Sequence, residues 1–388
     1  NIEICKYVGE FKDDLRHGNG FLYLNDGSKL EGNWIDDNLN GSGIYYQPID
    51  EIILQCNFID GDIVGIAYEY ELYDEDMNDD KIKKTFMDGK VSNYIPTSRS
   101  MTSICYYKDN LKNGLGMQLL EDGGILYGYY IDGSFHGDNN IFFYDIVNMK
   151  SIIQLNSTNK KGYTPALIGK WEHANMIKTN FIWIKDISLD LLIDSIKNKK
   201  YISLNNSIKN NENITYTDDS ESQLTSNPLL VEPWEQYLVY VKTSSIKHSG
   251  EGLYAAKNLP ANCIVSYYNG IIVDQDIIDI RSWDDNSNCI TLDEDEFLHI
   301  DVPKEFSTLD NYKASLGHKC NHSFKYINAK YDHVYHPRFG HIKCIKAIKK
   351  IAKNEEIFVD YGYDFELHDG GPKWYKEEYI KYQSQMLK

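Results

Sequence analysis

The chain has 388 residues, and its 58 acidic side chains against 40 basic ones give a formal net charge of −18. At roughly 100–200 residues per domain, this length predicts two or three domains. An apolar fraction of 42% is enough for packed cores. The negative charge disfavours binding to nucleic acid or anionic lipid, since both require basic surfaces. It favours a basic partner, such as a lysine-rich peptide.

The seven cysteines are scattered, and none forms a Cys-x-x-Cys pair. A zinc knuckle or a thioredoxin-like site is therefore not predicted. An odd, scattered set is typical of reduced thiols in an intracellular protein. No apolar run approaches the ~20 residues that a membrane span needs, so we expect no membrane span.

Glycines recur at a fixed spacing in the first half of the chain. Gly9 and Gly32 are 23 residues apart, and so are Gly114 and Gly137, beyond an acidic insertion around residues 71–80. Each unit has an apolar-aromatic strand, a polar turn and a Gly-x-Gly strand start, which predicts a β-hairpin. Because one hairpin cannot bury its face alone, the hairpins should stack into a continuous antiparallel sheet.

These hairpin units resemble MORN repeats, with about five recognisable copies across residues 5–175. The resemblance implies an interaction or scaffolding module without a catalytic group. For any single repeat residue, a purely structural role in a twisted sheet is the simpler interpretation.

The rest of the chain divides into a polar stretch and a β-rich part. Residues 195–228 are rich in Asn, Ser, Asp and Lys, which predicts a mobile linker or a long loop. Beyond it, five short runs predict strands, at 237–241, 263–268, 270–273, 342–348 and 356–361. Helices are predicted at Ile277–Ile280, around Leu309–Leu316 and at Trp374–Met386. The second half is therefore expected to be mostly β with short helices.

Three segments of this second half draw attention together. They read Ser-Gly-Glu-Gly at 249–252, Asn-His-Ser at 321–323 and Val-Asp-Tyr-Gly-Tyr at 359–363. Taken singly, each has a simpler interpretation, as a turn, a structural hydrogen-bonding node or strand-end packing. In their order and spacing they resemble the SET domain, the lysine-methyltransferase fold, over residues 237–388. The stretches at 266–270, 314–319, 336–340 and 374–375 agree with the SET-domain enzymes that carry MORN repeats.

The resemblance implies S-adenosylmethionine as cofactor and a lysine of a histone or another basic protein as substrate. The positions that match cofactor-binding residues are Ser249, Gly250, Glu251, Asn288, His318, Lys319, Asn321, His322, Trp374 and Glu378. The positions that match the lysine channel, and would be catalytic, are Tyr268, Tyr331, Tyr361 and Tyr363. For Tyr363, packing and catalysis are equally favoured. A monomer in the nucleus, the cytoplasm or both is expected.

This sequence departs from the family pattern in two places. The usual Asn-His-Ser-x-x-Pro-Asn run appears here as residues 321–328, without the proline and with one extra residue before Asn328. The tail 367–388 has no cysteine, so the zinc cluster that ends many SET proteins is not expected. No role is assigned to Asp360, where related enzymes carry a small residue.

Methyl transfer to lysine needs a neutral amine, an aligned methyl group and no competing water. Free lysine has a pKa near 10.4, and a narrow channel lowers it by desolvation. Tyrosine rings exclude water, and their hydroxyls can bond the amine. No general base is required. We assign Tyr361 to the reacting centre and expect Tyr268 and Tyr331 to limit the product to monomethyl-lysine.

The predicted fold class is mainly β: a sheet of stacked hairpins, then a β-rich SET domain with a C-terminal pseudoknot and a terminal helix. The predicted layout is a MORN-repeat domain at 1–190, a polar linker or pre-SET region at 191–236, the SET domain at 237–366 and a helical segment at 367–388. A Rossmann methyltransferase is disfavoured because no Gly-x-Gly-x-x-Gly occurs. A MORN scaffold with a weakly active or inactive SET domain remains the alternative. The acidic side chains at 284–285 and 293–296 are expected to form a solvated face, and a groove rim for a basic peptide is the other interpretation.

Overall fold

The computed structural model describes residues 3–49, 52–71, 101–146, 162–205, 208–215, 227–282, 284–293, 297–363 and 372–386, together with Asn148, Ile152, Asn156 and Leu224. The prediction of a mainly β chain with a terminal helix is confirmed. The described residues form two compact units. One contains the described residues within 1–143, 166–175 and 186–207, and the other contains those within 144–165, 176–185 and 208–388.

The strands up to residue 215 are β1 (Ile4–Lys12), β2 (Leu15–Leu24), β3 (Lys29–Ile35), β4 (Asn38–Gln47), β5 (Ile52–Ile59), β6 (Asp62–Glu71), β7 (Met101–Lys108), β8 (Leu111–Leu119), β9 (Ile125–Ile131), β10 (Ser134–Phe135), β11 (Gly137–Phe143), β12 (Tyr163–Glu172), β13 (Asn175–Lys185) and β14 (Ile208–Thr215). In the first unit the strands pair antiparallel in chain order, except that β10 pairs off the path with β9. Helix α1 (Leu189–Lys197) is capped by Ser188, whose side chain accepts from the Leu191 amide.

The repeated glycines face one another across the first four strands. Gly9 is opposite Gly20, Gly20 is opposite Gly32, and Gly32 is opposite Gly43. A β-carbon at Gly20 would collide with the Tyr7 ring, so the ring can lie over the strand only because glycine is there. The hairpin turns place two consecutive residues at positive φ, as at Asp36-Asp37, which is the geometry of type I′ turns.

The strands of the second unit beyond residue 238 are β15 (Val239–Thr243), β16 (Glu251–Ala255), β17 (Ile264–Tyr268), β18 (Ile271–Asp274), β19 (Cys289–Asp293), β20 (Leu298–Asp301), β21 (Asn321–His322), β22 (Ala329–His336), β23 (Gly340–Ala347) and β24 (Phe358–Val359). They form four small sheets: β15-β16, β17-β23-β22, β18-β20-β19 and the parallel pair β21-β24. Helices described beyond residue 232 are α2 (Pro233–Leu238), α3 (Gln275–Ile280) and α4 (Lys373–Met386).

Two secondary-structure predictions are wrong. Residues 309–316 form turns between short 3-10 helices at Lys304–Phe306 and Gly317–Lys319. Their amides bond elsewhere in the fold, since Lys313 N–H donates to the Pro228 carbonyl and Leu316 N–H donates to Glu235. The described part of the predicted loop at 195–228 contains the end of α1 and strand β14, which pairs with β13, and residues 206–207, 216–223 and 225–226 lie outside the described residues. Pairing with a distant strand overrides the polar composition of this segment.

Among the described helices, none has both the length and the apolar character needed to cross a membrane.

Candidate active site

The parallel pair β21-β24 lies at the centre of the candidate site. Ser323 N–H donates to the Val359 carbonyl at 3.1 Å. The Asn328 side chain donates to the Glu356 carbonyl at 2.8 Å and accepts from Phe358 N–H at 2.8 Å. Asn328 therefore bonds to the segment that carries β24, although the loop before it is one residue longer and lacks proline. These bonds hold Asn321 and His322 beside Tyr361.

Four predicted channel tyrosines lie together at this point. The Tyr268 and Tyr331 ring centroids are 6.1 Å apart, and those of Tyr361 and Tyr363 are also 6.1 Å apart. Burial raises the pKa of the Tyr268, Tyr331 and Tyr361 hydroxyls above the usual value, so all three stay protonated. A cluster of buried neutral tyrosines disfavours a bound cation unless the tyrosine hydroxyl oxygens accept hydrogen bonds from that cation.

The hydroxyls in this cluster differ in their partners. Tyr268 donates to the Asn288 carbonyl at 2.7 Å, and Tyr361 donates to the Cys320 carbonyl at 3.1 Å. Their lone pairs are therefore left to accept from another group. For the Tyr331 hydroxyl, no hydrogen-bond partner is found within the described part of the chain, so it can bond an incoming group or a water.

A charged cluster adjoins the start of β16. Lys319 Nζ lies 2.7 Å from Glu251 Oε2 and also donates to the Ser307 carbonyl. The Asn321 amide donates to the Glu251 carbonyl at 2.9 Å. The site thus combines a half-exposed carboxylate, an ammonium and an amide, which suits a zwitterionic ligand.

Two histidines of the site are held neutral. Burial lowers the pKa of His318 to about 3, and its buried ring nitrogens make no hydrogen bond of acceptable geometry among the described residues. Burial lowers the pKa of His322 to about 4. Tyr361 N–H donates to His322 Nδ1 at 3.2 Å, so the ring proton is on Nε2. Both His318 ring nitrogens and His322 Nε2 are buried without a partner among the described residues, and they lie where the polar cofactor is predicted to bind.

Helix α4 brings two predicted residues to the same region. Trp374 is half exposed, and its ring lies 6.2 Å from that of Tyr361 and 5.9 Å from that of His322. The Glu378 carboxyl lies near the backbone of Phe324, and burial raises the pKa of this carboxyl. Ser249 and Gly250 lie on an exposed turn, with Gly250 at a φ of 67°. Acidic positions 294–296 lie outside the described residues.

Sequence reasoning missed several residues that shape this site. Glu356 is buried and accepts from Ser244, Ser245, Tyr254 and Asn321. Asp360 accepts from the Tyr375 hydroxyl at 2.6 Å, which ties α4 to the strand end. Glu356 belongs to no glycine or tyrosine motif, so no local pattern distinguished it from surface acids. Asp360 lies inside the Val-Asp-Tyr-Gly-Tyr segment, but its residue type gave no role there. In the described part of the chain, no group of three or more His, Cys, Asp or Glu is arranged to hold a metal.

The comparisons with known proteins identify the families that parts of this chain match. The SET-domain family model matches residues 250–362, and the MORN-repeat model matches residues 7–29 and 31–49. Residues 250–362 thus match a SET domain, with MORN repeats ahead of it, and the resemblance found in the sequence is confirmed. It is 33% identical, over 280 residues, to the histone-lysine N-methyltransferase SETD7 of Halocynthia roretzi. The match covers 70% of this chain and 66% of that relative, just under two thirds of its length.

Partial overlaps with solved structures were also found. One is ctPRC2 in an autoinhibited conformation bound to S-adenosylmethionine, with 22% identity over 38% of this chain and 17% of that chain, at a TM-score of 0.27. Another is a humanized mutant of the Chaetomium thermophilum Polycomb Repressive Complex 2 bound to the inhibitor GSK126, with 27% identity over 32% and 15% of the two chains, at a TM-score of 0.26. Scores this low do not establish a shared fold.

Proposed function

We propose that this protein is an S-adenosylmethionine-dependent protein-lysine N-methyltransferase that acts on histone or other basic protein substrates. The observation that carries the proposal is the cluster of four tyrosines beside the Asn321-His322 segment. Three of them, Tyr268, Tyr331 and Tyr361, lie inside residues 250–362, which match the SET-domain family. The relative of known activity is a histone-lysine methyltransferase. We further propose a monomer that works in the nucleus, the cytoplasm or both, without sequence-specific binding to nucleic acid.

The residues present fit the cofactor. The Glu251 carboxylate would hold the ammonium group of the cofactor's methionine part. Lys319 and Asn321 would face the same polar end of the cofactor. Asn288, His318 and His322 supply further polar groups, and Ser249 and Gly250 would support the loop. Trp374 offers an aromatic face and, with Glu378, would close over the adenosyl part. When bound, S-adenosylmethionine supplies a methyl group on a positively charged sulfur.

The tyrosines would prepare the lysine for transfer. Their rings exclude water and flank the alkyl stem, and desolvation lowers the pKa of the amine toward neutrality. Tyr268 and Tyr361 already donate to carbonyls, so their oxygens would accept from the amine and orient its lone pair. Holding both reactants in one alignment can supply much of the acceleration. Exposed Asp284 and Asp285 favour a basic peptide.

Product number tests the role of Tyr331. Wild type is expected to stop mainly at monomethyl-lysine, because the Tyr331 hydroxyl or its bound water fills the space that a second methyl needs. Tyr331→Phe should release that water and raise the dimethyl fraction several-fold, measured by mass spectrometry on one peptide. Tyr335→Phe on the same strand is the matched control. Abundant trimethyl product from wild type would contradict the assignment.

The pH dependence of the rate tests whether a histidine takes part. His318 and His322 have pKa values lowered from 6.5 to about 3 and about 4, so both are neutral above about pH 5. We expect kcat on a peptide to rise from pH 6.5 toward alkaline pH, following lysine deprotonation. The profile should show no histidine transition near 6.5. A drop in rate as pH rises through 6.5 would point to a histidine acid that this site does not contain.

The alternative is a MORN scaffold with a weakly active or inactive SET domain. Calorimetric titration with S-adenosylmethionine separates the two, since a scaffold need not bind it. Micromolar binding together with methylation of a lysine peptide supports the enzyme. Absence of both supports the scaffold.

A further inference from the structure

Glu235 is a buried carboxyl that no motif accounts for. Glu235 lies in helix α2, and it is only 1% exposed. The helix is capped by Glu232, whose side chain accepts from the Glu235 backbone N–H. One oxygen, Oε1, accepts three hydrogen bonds. The donors are the Ser266 hydroxyl, Tyr267 N–H at 2.8 Å and Leu316 N–H at 3.0 Å.

These three donors come from two segments that are far apart in sequence. Ser266 and Tyr267 belong to β17, which ends at Tyr268 of the tyrosine cluster. Leu316 comes directly before the 3-10 helix Gly317–Lys319, which carries His318 and Lys319. The two segments touch closely, since a β-carbon at Gly317 would lie 2.5 Å from the Tyr267 carbonyl oxygen. Glu235 therefore links two segments. One leads to the tyrosine cluster, and the other leads to the charged cluster.

We propose that Glu235 is a positioning residue that fixes the lysine channel and the cofactor segment relative to each other. This inference rests on the proposed function, because it gives those two segments their roles. A second connection between the two segments lies nearby. The backbone N–H of Asn269 donates to the Ser315 hydroxyl, and the Asn269 side-chain amide donates to the Tyr312 hydroxyl. Loss of Glu235 should therefore loosen the arrangement without abolishing it.

The protonation state of the Glu235 carboxyl indicates which substitution preserves the link between the two segments. Burial, aided by the charge of Glu232, raises the pKa of Glu235 to about 8, so the group is protonated at neutral pH. Because Oε1 accepts all three bonds, the proton belongs on Oε2, which has no partner among the described residues. Glutamine has the same shape, with an acceptor oxygen in one position and a donor in the other.

The test uses the full chain with four variants, at a temperature where each is folded. Glu235→Ala removes the acceptor, and Glu235→Asp withdraws it by one methylene if the alanine variant does not fold. Glu235→Gln is the rescue. Tyr144→Phe is the control, because it removes a buried hydrogen bond to Glu232 and leaves the three donors to Glu235 Oε1 in place. Amide hydrogen exchange, affinity for S-adenosylhomocysteine and kcat are measured for each.

We expect Glu235→Ala or Glu235→Asp to speed exchange of the Tyr267 and Leu316 amides together. We also expect a roughly tenfold weaker cofactor affinity and a roughly tenfold lower kcat, and Glu235→Gln should stay within about threefold of wild type. Tyr144→Phe should lower the unfolding temperature alone. Unchanged exchange at either amide, or equal losses in Tyr144→Phe, would overturn the proposal. If wild type binds no cofactor, the proposed function fails, whereas exchange still decides whether Glu235 joins the two segments.

Discussion

Tyr361→Phe is expected to lower kcat about 100-fold and to leave cofactor affinity and the unfolding temperature nearly unchanged. The ring contacts with His322 and Trp374 survive in phenylalanine. Only the hydroxyl is lost, together with its bond to the Cys320 carbonyl. Its oxygen is the group we place nearest the reacting nitrogen, and a lost polar contact in the transition state costs about 10²–10³ in rate. Because the effect is on the transition state, KM should change less than kcat.

The control for this variant is Tyr326→Phe, which removes the hydroxyl of a largely exposed tyrosine in the same unit. It should leave both kcat and KM as in wild type. Steady-state kinetics on one good peptide, with calorimetric titration of the cofactor, separate the effects. Full turnover in Tyr361→Phe would place the reacting centre elsewhere.

Glu356→Ala is expected to lower the free energy of unfolding by about 2–4 kcal/mol, because several buried donors lose one acceptor. Ser244 and the Tyr254 hydroxyl donate to Glu356 at 2.6 and 2.8 Å. The Asn321 amide also reaches it, at 3.4 Å. The loop before Glu251 and the Asn321 side chain should both loosen, so cofactor affinity should fall at least tenfold. Urea unfolding and calorimetric titration measure the two effects.

The same carboxyl gives this prediction a pH signature. Its hydrogen bonds outweigh burial and lower the pKa of Glu356 below the ordinary 4.5. A carboxyl whose pKa is lower in the folded state contributes stability above its unfolded pKa and loses it as pH falls further. The stability difference between wild type and Glu356→Ala should therefore be constant above about pH 5.5 and shrink below 4.5. Glu305→Ala, with the same charge change at an exposed position of the same unit, should cost under about 1 kcal/mol. Equal losses in the two variants would contradict the role of Glu356.

Sequence reasoning recovered the features that repeat or that cluster in short motifs. The 23-residue spacing predicts the hairpin sheet because a glycine is needed wherever a ring lies over the neighbouring strand, as Tyr7 does at Gly20. The motifs around Glu251, Asn321 and Tyr361 predicted segments that the fold brings together. Their proposed roles remain predictions.

The residues that hold these segments in place could not be found in this way. Glu235 and Glu356 act through partners up to 81 and 112 residues away, and in sequence each is one acid among 58. Burial distinguishes them, and burial depends on the tertiary fold. The turns at 309–316 were mistaken for a helix for the same reason, because their amides bond to distant acceptors such as Glu235.

The most direct measurement of the proposed activity is methyl transfer by the full chain from radiolabelled S-adenosylmethionine to an array of basic peptides, with mass spectrometry of the labelled spots. Each peptide is paired with a copy in which every lysine is replaced by arginine, and Tyr361→Phe is run in parallel. We expect label on lysine peptides alone, mainly as monomethyl-lysine, with about 100-fold less in Tyr361→Phe. Label that persists on the arginine copies, or equal label from Tyr361→Phe, would contradict it.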